Sequence, residues 1–376
     1  MRKEKRNIKK IKSRNDPCWC GSGLKNKKCH NDREHMKPPT IQEIKEKFSK
    51  NYGKEYCLCP ISDKVNCSGD IIKAHSVQKS GVLDKIALNG HVYEFDYSFT
   101  GLVKNNDNVI VKKTGINKAS TFTGFCGYHD NKIFETLDNY TYSTTNEFAF
   151  LMGYRAITRE LFVKSAQKKM FEFMREMDKG KDITSQVRIQ MEASTNILGS
   201  ETGLRDLESE KKIFDDALLN KDFSKVKYLI INLSNTPEYV CSGAIYPEHD
   251  FSGAQLQDLS NLEKKMDLLT FSIISNQSGG AIVFAWLENS KEACEKFVKS
   301  LNAMNNTDLL NALTRFIFIT TENLFFSIDW WDNLSKNDKE KLLDRFNRAT
   351  DDFDYWSPDG INAINWVITS RDVKIT

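Results

Sequence analysis

Seven of the chain's nine cysteines lie within its first 126 residues, with His30, His75 and His129 among them. The densest run reads Asn15-Asp16-Pro17-Cys18-Trp19-Cys20-Gly21-Ser22-Gly23, followed by Lys27-Lys28-Cys29-His30. A second, looser set comprises Cys57, Cys59, Cys67, His75, Cys126 and His129. Thiolates and imidazoles at such spacings suit tetrahedral Zn²⁺, which takes four soft or borderline donors around one ion. The stretch 17–30 is too short to bury a core, so metal must hold it together. The pattern predicts two zinc sites, and the function starts from them.

At 376 residues the chain exceeds one ordinary core, and length alone suggests roughly two or three domains. Hydrophobic residues at 40% and charged residues at 28% fit globular domains rather than disorder. No apolar run reaches the roughly 18 residues of a membrane span. The start, Met1-Arg2-Lys3-Glu4-Lys5-Arg6, has no apolar segment behind it, so no secretory signal is expected. A cytoplasmic setting is expected, where cysteines serve as ligands or core residues more often than as disulfides. The net charge of +3 conceals an asymmetry: residues 1–37 carry thirteen Lys/Arg against four Asp/Glu, leaving the remainder mildly acidic. Such an arm is expected either to be drawn to phosphate, in RNA, DNA or the ribosome, or to be a solvated, partly disordered tail.

The expected fold class is α+β and multi-domain, divided into 1–37 (basic arm and knuckle), 40–140, 141–224 (helical) and 225–376 (α+β). Thr40 with Glu43 forms a capping box opening a helix to about residue 52. Residues 70–75 read as a strand ending on His75, 77–88 as an amphipathic helix, and 91–97 and 109–111 as strands. A helix is expected to begin near His129. Apolar positions from Phe148 to Phe171 recur at helical intervals, predicting a helix over 144–178 stopped by Gly180. A second helix is expected over 183–219, broken near Gly199 or Gly203. Strands are expected at 228–231, 239–242, 270–274 and 281–286, and helices at 290–303, 307–315 and 335–348. Arg155 and Arg159, one turn apart, could meet phosphate together, but a solvated face with ion pairs is the simpler expectation.

The run from Asn15 through Gly23, closed by Cys29-His30, resembles the SEC-C motif, the zinc tail of the preprotein translocase ATPase SecA. The resemblance implies a structural zinc held by Cys18, Cys20, Cys29 and His30, in a module that docks a protein partner, the ribosome or nucleic acid. It implies no translocation, because the chain has no GxxxxGK[ST] phosphate loop. The second set, with Cys126-Gly127-Tyr128-His129-Asp130-Asn131 at a helix start, resembles a treble-clef finger and, more specifically, an HNH nuclease with a structural zinc. That resemblance implies zinc on Cys57, Cys67, Cys126 and His129, with Cys59 an alternative to Cys57. It makes His75 the general base, Asp130 or Asn131 holders of Mg²⁺ or Mn²⁺, and Asn108 the residue that orients His75. Ala74 stands where many such nucleases carry an acidic ligand.

Two functions follow as expectations. One is a zinc-containing nucleic-acid-acting protein, an HNH-like metal-dependent endonuclease docked through the SEC-C-like module. The other is a non-catalytic, zinc-stabilised protein- or ribosome-binding protein. Paired Trp330 and Trp331 read as a hydrophobic clasp, and Cys241 and Cys294 as core residues.

Overall fold

A computed structural model describes residues 13–98, 101, 104–105, 108–138, 142–348 and 354–375; most of the expected basic arm lies outside them. Along the chain come α1 (Ile41–Tyr52), β1 (Ile71–His75), β2 (His91–Asp96), β3 (Ile110–Gly115), β4 (Thr121–Cys126) and α2 (Gly127–Asp138). The long helices α3 (Asn146–Met174) and α4 (Ile183–Asn220) follow. Then come β5 (Val226–Leu233), β6 (Tyr239–Ile245), β7 (Leu269–Asn276), β8 (Gly279–Leu287), α5 (Lys291–Asn302) and α6 (Asn306–Thr320). β9 (Leu324–Phe326), α7 (Lys336–Arg348) and β10 (Ile368–Lys374) complete the order. The class is α+β. No helix among the described residues is long and apolar enough to cross a membrane.

The chain forms two compact units, one from 1–54 with 163–204, the other from 55–162 with 205–376. This grouping cuts across the helical segment 141–224, whose middle (163–204) falls in the first unit and whose two ends fall in the second.

In the first unit Thr40 caps α1 with the reciprocal Glu43 bond, as the sequence signals. Gly180 takes φ +72° in the turn between α3 and α4, where a Cβ would sit 3.0 Å from the Met36 carbonyl oxygen. That turn lies against residues 30–38, with the Gly180 N–H donating to the Arg33 carbonyl. The expected break in α4 does not occur. At Gly203 an added Cβ would meet only the flexible end of the Lys164 side chain, at 3.2 Å, and α4 runs through this position unbroken.

The second unit holds a small sheet of β1 and β4 and a larger antiparallel one in the order β10-β5-β8-β7-β6-β9-β2-β3. In the larger sheet β8 is buried along its whole length, so both faces are covered. On one face Phe271 and Phe284 pack on Phe297 of α5 and Phe316 of α6, with Tyr355 over them. On the other, Gly153 of α3 brings its backbone against Thr270, and Phe150 packs in a tilted pair on Phe214 of α4. β2 and β3 join this sheet through β9, with Tyr93 opposite Phe326. Trp331 is buried against Phe95 of β2 and Phe326 of β9, where these two strands meet. Cys241 and Cys294 are fully buried.

One expected helix is largely absent. Over 77–88 Ser80 is extended and Gly81 takes φ +75°, leaving an irregular turn and the short helix Asp84–Ile86. The small sheet positions the candidate site. β1 runs antiparallel to β4 with Ile71 opposite Cys126 and His75 opposite Thr121. β4 then passes without a loop into α2.

Candidate metal centres

The first centre is built by a tight knuckle. Gly21 and Gly23 take φ +74° and +72°, a conformation open to glycine at no steric cost. The Cys18 N–H donates to the Leu24 carbonyl at 2.8 Å, folding the strand-like segment back on itself. The Asn26 carbonyl accepts from the N–H groups of Cys29, His30 and Asn31 at 2.9 to 3.1 Å, turning the second ligand pair toward the first. Cys20 Sγ lies 3.6 Å from Cys18 Sγ and 3.5 Å from Cys29 Sγ. His30 Nδ1 lies 3.2 Å from Cys18 Sγ and 3.2 Å from Cys29 Sγ. All four donor atoms fall within 4.8 Å of one another. Ligands about 2.3 Å from a tetrahedral zinc are separated by roughly 3.8 Å, so the set fits around one ion.

The other imidazole nitrogen strengthens that fit. His30 Nε2 lies 2.8 Å from the Asp178 carboxylate, which is fully buried. Asp178 also accepts from Arg33 Nε at 2.5 Å and Gln190 Nε2 at 2.7 Å. Burial acts against the carboxylate's charge, but the bonds from His30, Arg33 and Gln190 outweigh it and hold the carboxyl below its usual range. A metal-ligating histidine commonly donates its second N–H to such a group, which fixes the tautomer and aims Nδ1 at the metal. The thiols make the complementary argument. Burial, with crowding by Cys20 and Cys29, pushes Cys18 up to about 12. Cys20 comes down to about 7 because hydrogen bonds from Ser22 and neighbouring thiols overcome its burial. Such a cluster cannot ionise together unless a cation joins it.

The second centre repeats this chemistry on different elements. Cys57, Cys67, Cys126 and His129 bring their donor atoms within 4.8 Å of one another. The segment carrying Cys57 runs beside β4, with the Leu58 N–H donating to the Gly124 carbonyl at 2.9 Å. Cys67 follows the 3₁₀ turn Ile61–Asn66. Cys126 ends β4 and His129 lies in the first turn of α2. His129 Nδ1 is 3.1 Å from Cys126 Sγ and 3.5 Å from Cys57 Sγ. Its Nε2 lies 3.3 Å from Asp63 Oδ2, within ion-pair distance although off the angle of a hydrogen bond. Bonds from His129 and Ser68 bring the Cys126 thiol down to about 5 against the effect of burial, while burial pushes Cys57 up to about 11. Cys59 is buried beside the cluster but outside its donor set.

His75 ends β1 and is half-buried. Its Nδ1 lies 3.2 Å from Ser120 Oγ. Burial lowers the imidazole's pKa, helped by the charges of Lys79 and Arg155 and opposed by the Ala119 backbone and Asp138. The residue beside His75 is thus Ser120, where the sequence pattern suggested Asn108. Asn108 is exposed, with Nδ2 donating to the Asn105 carbonyl. Asp130 is half-buried on α2 and burial raises it to about 6, while its neighbour Asn131 is exposed. Consecutive helix residues do not face each other, so these two do not converge on one point. Among the described residues only these two Cys/His clusters gather three or more metal-ligating groups.

The arginines of α3 do not form the solvated face expected for them, although the expected ion pair of Arg159 with Glu160 is present. Arg155 is buried, with Nη2 3.0 Å from Asp138 Oδ1 and its guanidinium 4.2 Å over the Phe134 ring. Arg159 is largely buried and paired to Glu160 at 2.7 Å. Asn323 is also buried, donating to Ser76 Oγ and the Ser242 carbonyl. Asp178, Asp63 and Ser120 escaped the sequence reading. Asp178 stands 148 positions from His30, and no local pattern signals such a pairing.

Residues 14–32 match the family model of the SEC-C motif. No curated protein and no solved structure matches the chain. The match covers the first centre: the chain carries a SEC-C motif whose Cys18, Cys20, Cys29 and His30 form a cluster that could bind zinc, and a second Cys/His cluster of the same donor type.

Proposed function

We propose that this chain is a zinc-stabilised, nucleic-acid-acting protein whose second zinc centre holds an HNH-like, divalent-metal-dependent phosphodiester-cleaving site at His75. One observation carries the reading: β1 ends on His75, pairs with β4, and β4 runs straight into α2 with Cys126 and His129 at the junction. Zinc there would clamp the strand–helix corner, as a closed four-ligand site does, without taking part in chemistry. His75 would accept the proton of the attacking water, and a pKa lowered by burial keeps the imidazole neutral and basic. Mg²⁺ or Mn²⁺ would supply charge neutralisation at the leaving oxygen. Asp130 or Asn131, in the first turns of α2, would hold it. No three-ligand cluster stands at His75 among the described residues. Mg²⁺ commonly needs only one or two protein carboxylates beside substrate phosphates and water.

The SEC-C module and the basic residues of 1–37 would dock the protein, to nucleic acid through phosphate contacts or to a protein or ribosomal partner. A cytoplasmic setting, which keeps thiols reduced, suits both ligand sets. The alternative reading is a non-catalytic binding protein, favoured by the closed four-donor form of both centres.

Cleavage assays on DNA and RNA with Mg²⁺ or Mn²⁺ separate the two, comparing the natural chain with a His75→Ala variant of equal zinc content. Cleavage by the natural chain, reduced at least 100-fold in the variant, is expected. Equal cleavage by both, or none by either, leaves the binding-protein reading in its place.

A further inference from the structure

Ser120 is buried just ahead of β4 and takes φ +59°, a left-handed conformation that residues with a Cβ seldom adopt. Its carbonyl and its hydroxyl both engage the segment that follows β1. Its carbonyl accepts from the Ser76 N–H at 3.0 Å and from Ser76 Oγ at 2.9 Å. Its hydroxyl donates to the Val77 carbonyl at 2.7 Å and accepts from the Val77 N–H at 3.3 Å. The same oxygen lies 3.2 Å from His75 Nδ1. Among the described residues Ser120 is the one side-chain hydrogen-bond partner of that ring, and the Ala119 backbone also lies beside it.

A serine hydroxyl has a single proton. The Val77 carbonyl can only accept, and at 2.7 Å it is the closer of the two candidate acceptors. With the proton committed there, Ser120 Oγ can meet His75 Nδ1 only as an acceptor. A bare Nδ1 would set two lone pairs against each other. We infer that Ser120 is a positioning residue that holds the His75 imidazole with its proton on Nδ1 and its basic lone pair on Nε2.

The left-handed backbone has a place in this. It turns the Ser120 carbonyl and hydroxyl together toward residues 75–77, and strained residues of this kind persist where surrounding bonds over-determine them. The consequence for proton transfer rests on the proposed function, because Nε2 is the nitrogen that would then receive a proton. The tautomer itself does not depend on that reading.

Imidazole ¹⁵N–¹H correlation spectra of the full, zinc-loaded chain test the inference, at a pH where His75 is neutral. The His75 signals are assigned by their loss in His75→Ala. The natural chain is expected to show a protonated Nδ1 and an unprotonated Nε2. Ser120→Gly removes the hydroxyl and keeps the left-handed backbone without strain, and it is expected to move the population toward protonated Nε2. A natural chain protonated at Nε2, or a Ser120→Gly spectrum with the tautomer unchanged, overturns the inference. The first of these needs no variant to fold. The stated tautomer without cleavage of DNA or RNA supports the inference and sinks the nuclease reading; cleavage by a chain protonated at Nε2 does the reverse.

Discussion

Asp178 does for the first centre what no residue inside the SEC-C motif does. It fixes which nitrogen of His30 faces the sulfurs, and it neutralises Arg33 at the same buried point. Replacing its charge while keeping its shape isolates the first effect. Asp178→Asn is expected to weaken zinc at the first centre by about 10- to 100-fold and to leave the second unchanged. Competition with a chromophoric chelator measures this; identical release curves for both proteins would refute the role. The ligands themselves were legible in the sequence because spacing is local: Cys18, Cys20, Cys29 and His30 stand within one turn-rich stretch. Asp178, Asp63 and Ser120 were not legible. Each is an ordinary polar residue whose role arises from a partner elsewhere in the fold.

Among the elements, the turn between α3 and α4 shows how the backbone supports the knuckle. The Gly180 N–H donates to the Arg33 carbonyl at 3.1 Å, and its positive φ brings the chain close to Met36 and Pro38. A side chain there meets strain from the backbone angle and from the Met36 carbonyl. Gly180→Ala is expected to destabilise the protein by about 1–2 kcal/mol, read as a lower denaturation midpoint with unchanged slope. An unshifted midpoint would mean that the turn adapts freely. The helix stop at Gly180 and the capping box at Thr40 are legible in the sequence, since both signals are local. The helix expected over 77–88 shows the opposite case. Its apolar spacing is real, with Val82, Leu83 and Ile86 buried, but Ser80 and Gly81 bend the backbone so that the same side chains are buried without a continuous helix. β4 went unread because its alternation runs through Gly124, where only glycine fits beside Phe122 and Leu58.

Across the whole molecule, the α+β class followed from the mixture of periods in the sequence. The assembly of the larger sheet did not. β2 reaches its neighbour β9 across more than 200 positions, and the chain separates into units that each draw on two distant segments. No window of residues carries that information. The two clusters share one design nonetheless: three thiols and one Nδ1 as donors, with a carboxylate at Nε2. X-ray absorption at the zinc edge on the purified chain, with metal content measured on the same sample, tests this design most directly. The account predicts two zinc ions per chain, each with three sulfurs at about 2.3 Å and one nitrogen at about 2.0–2.1 Å. A single zinc per chain, or an all-sulfur or oxygen-rich shell, would contradict it.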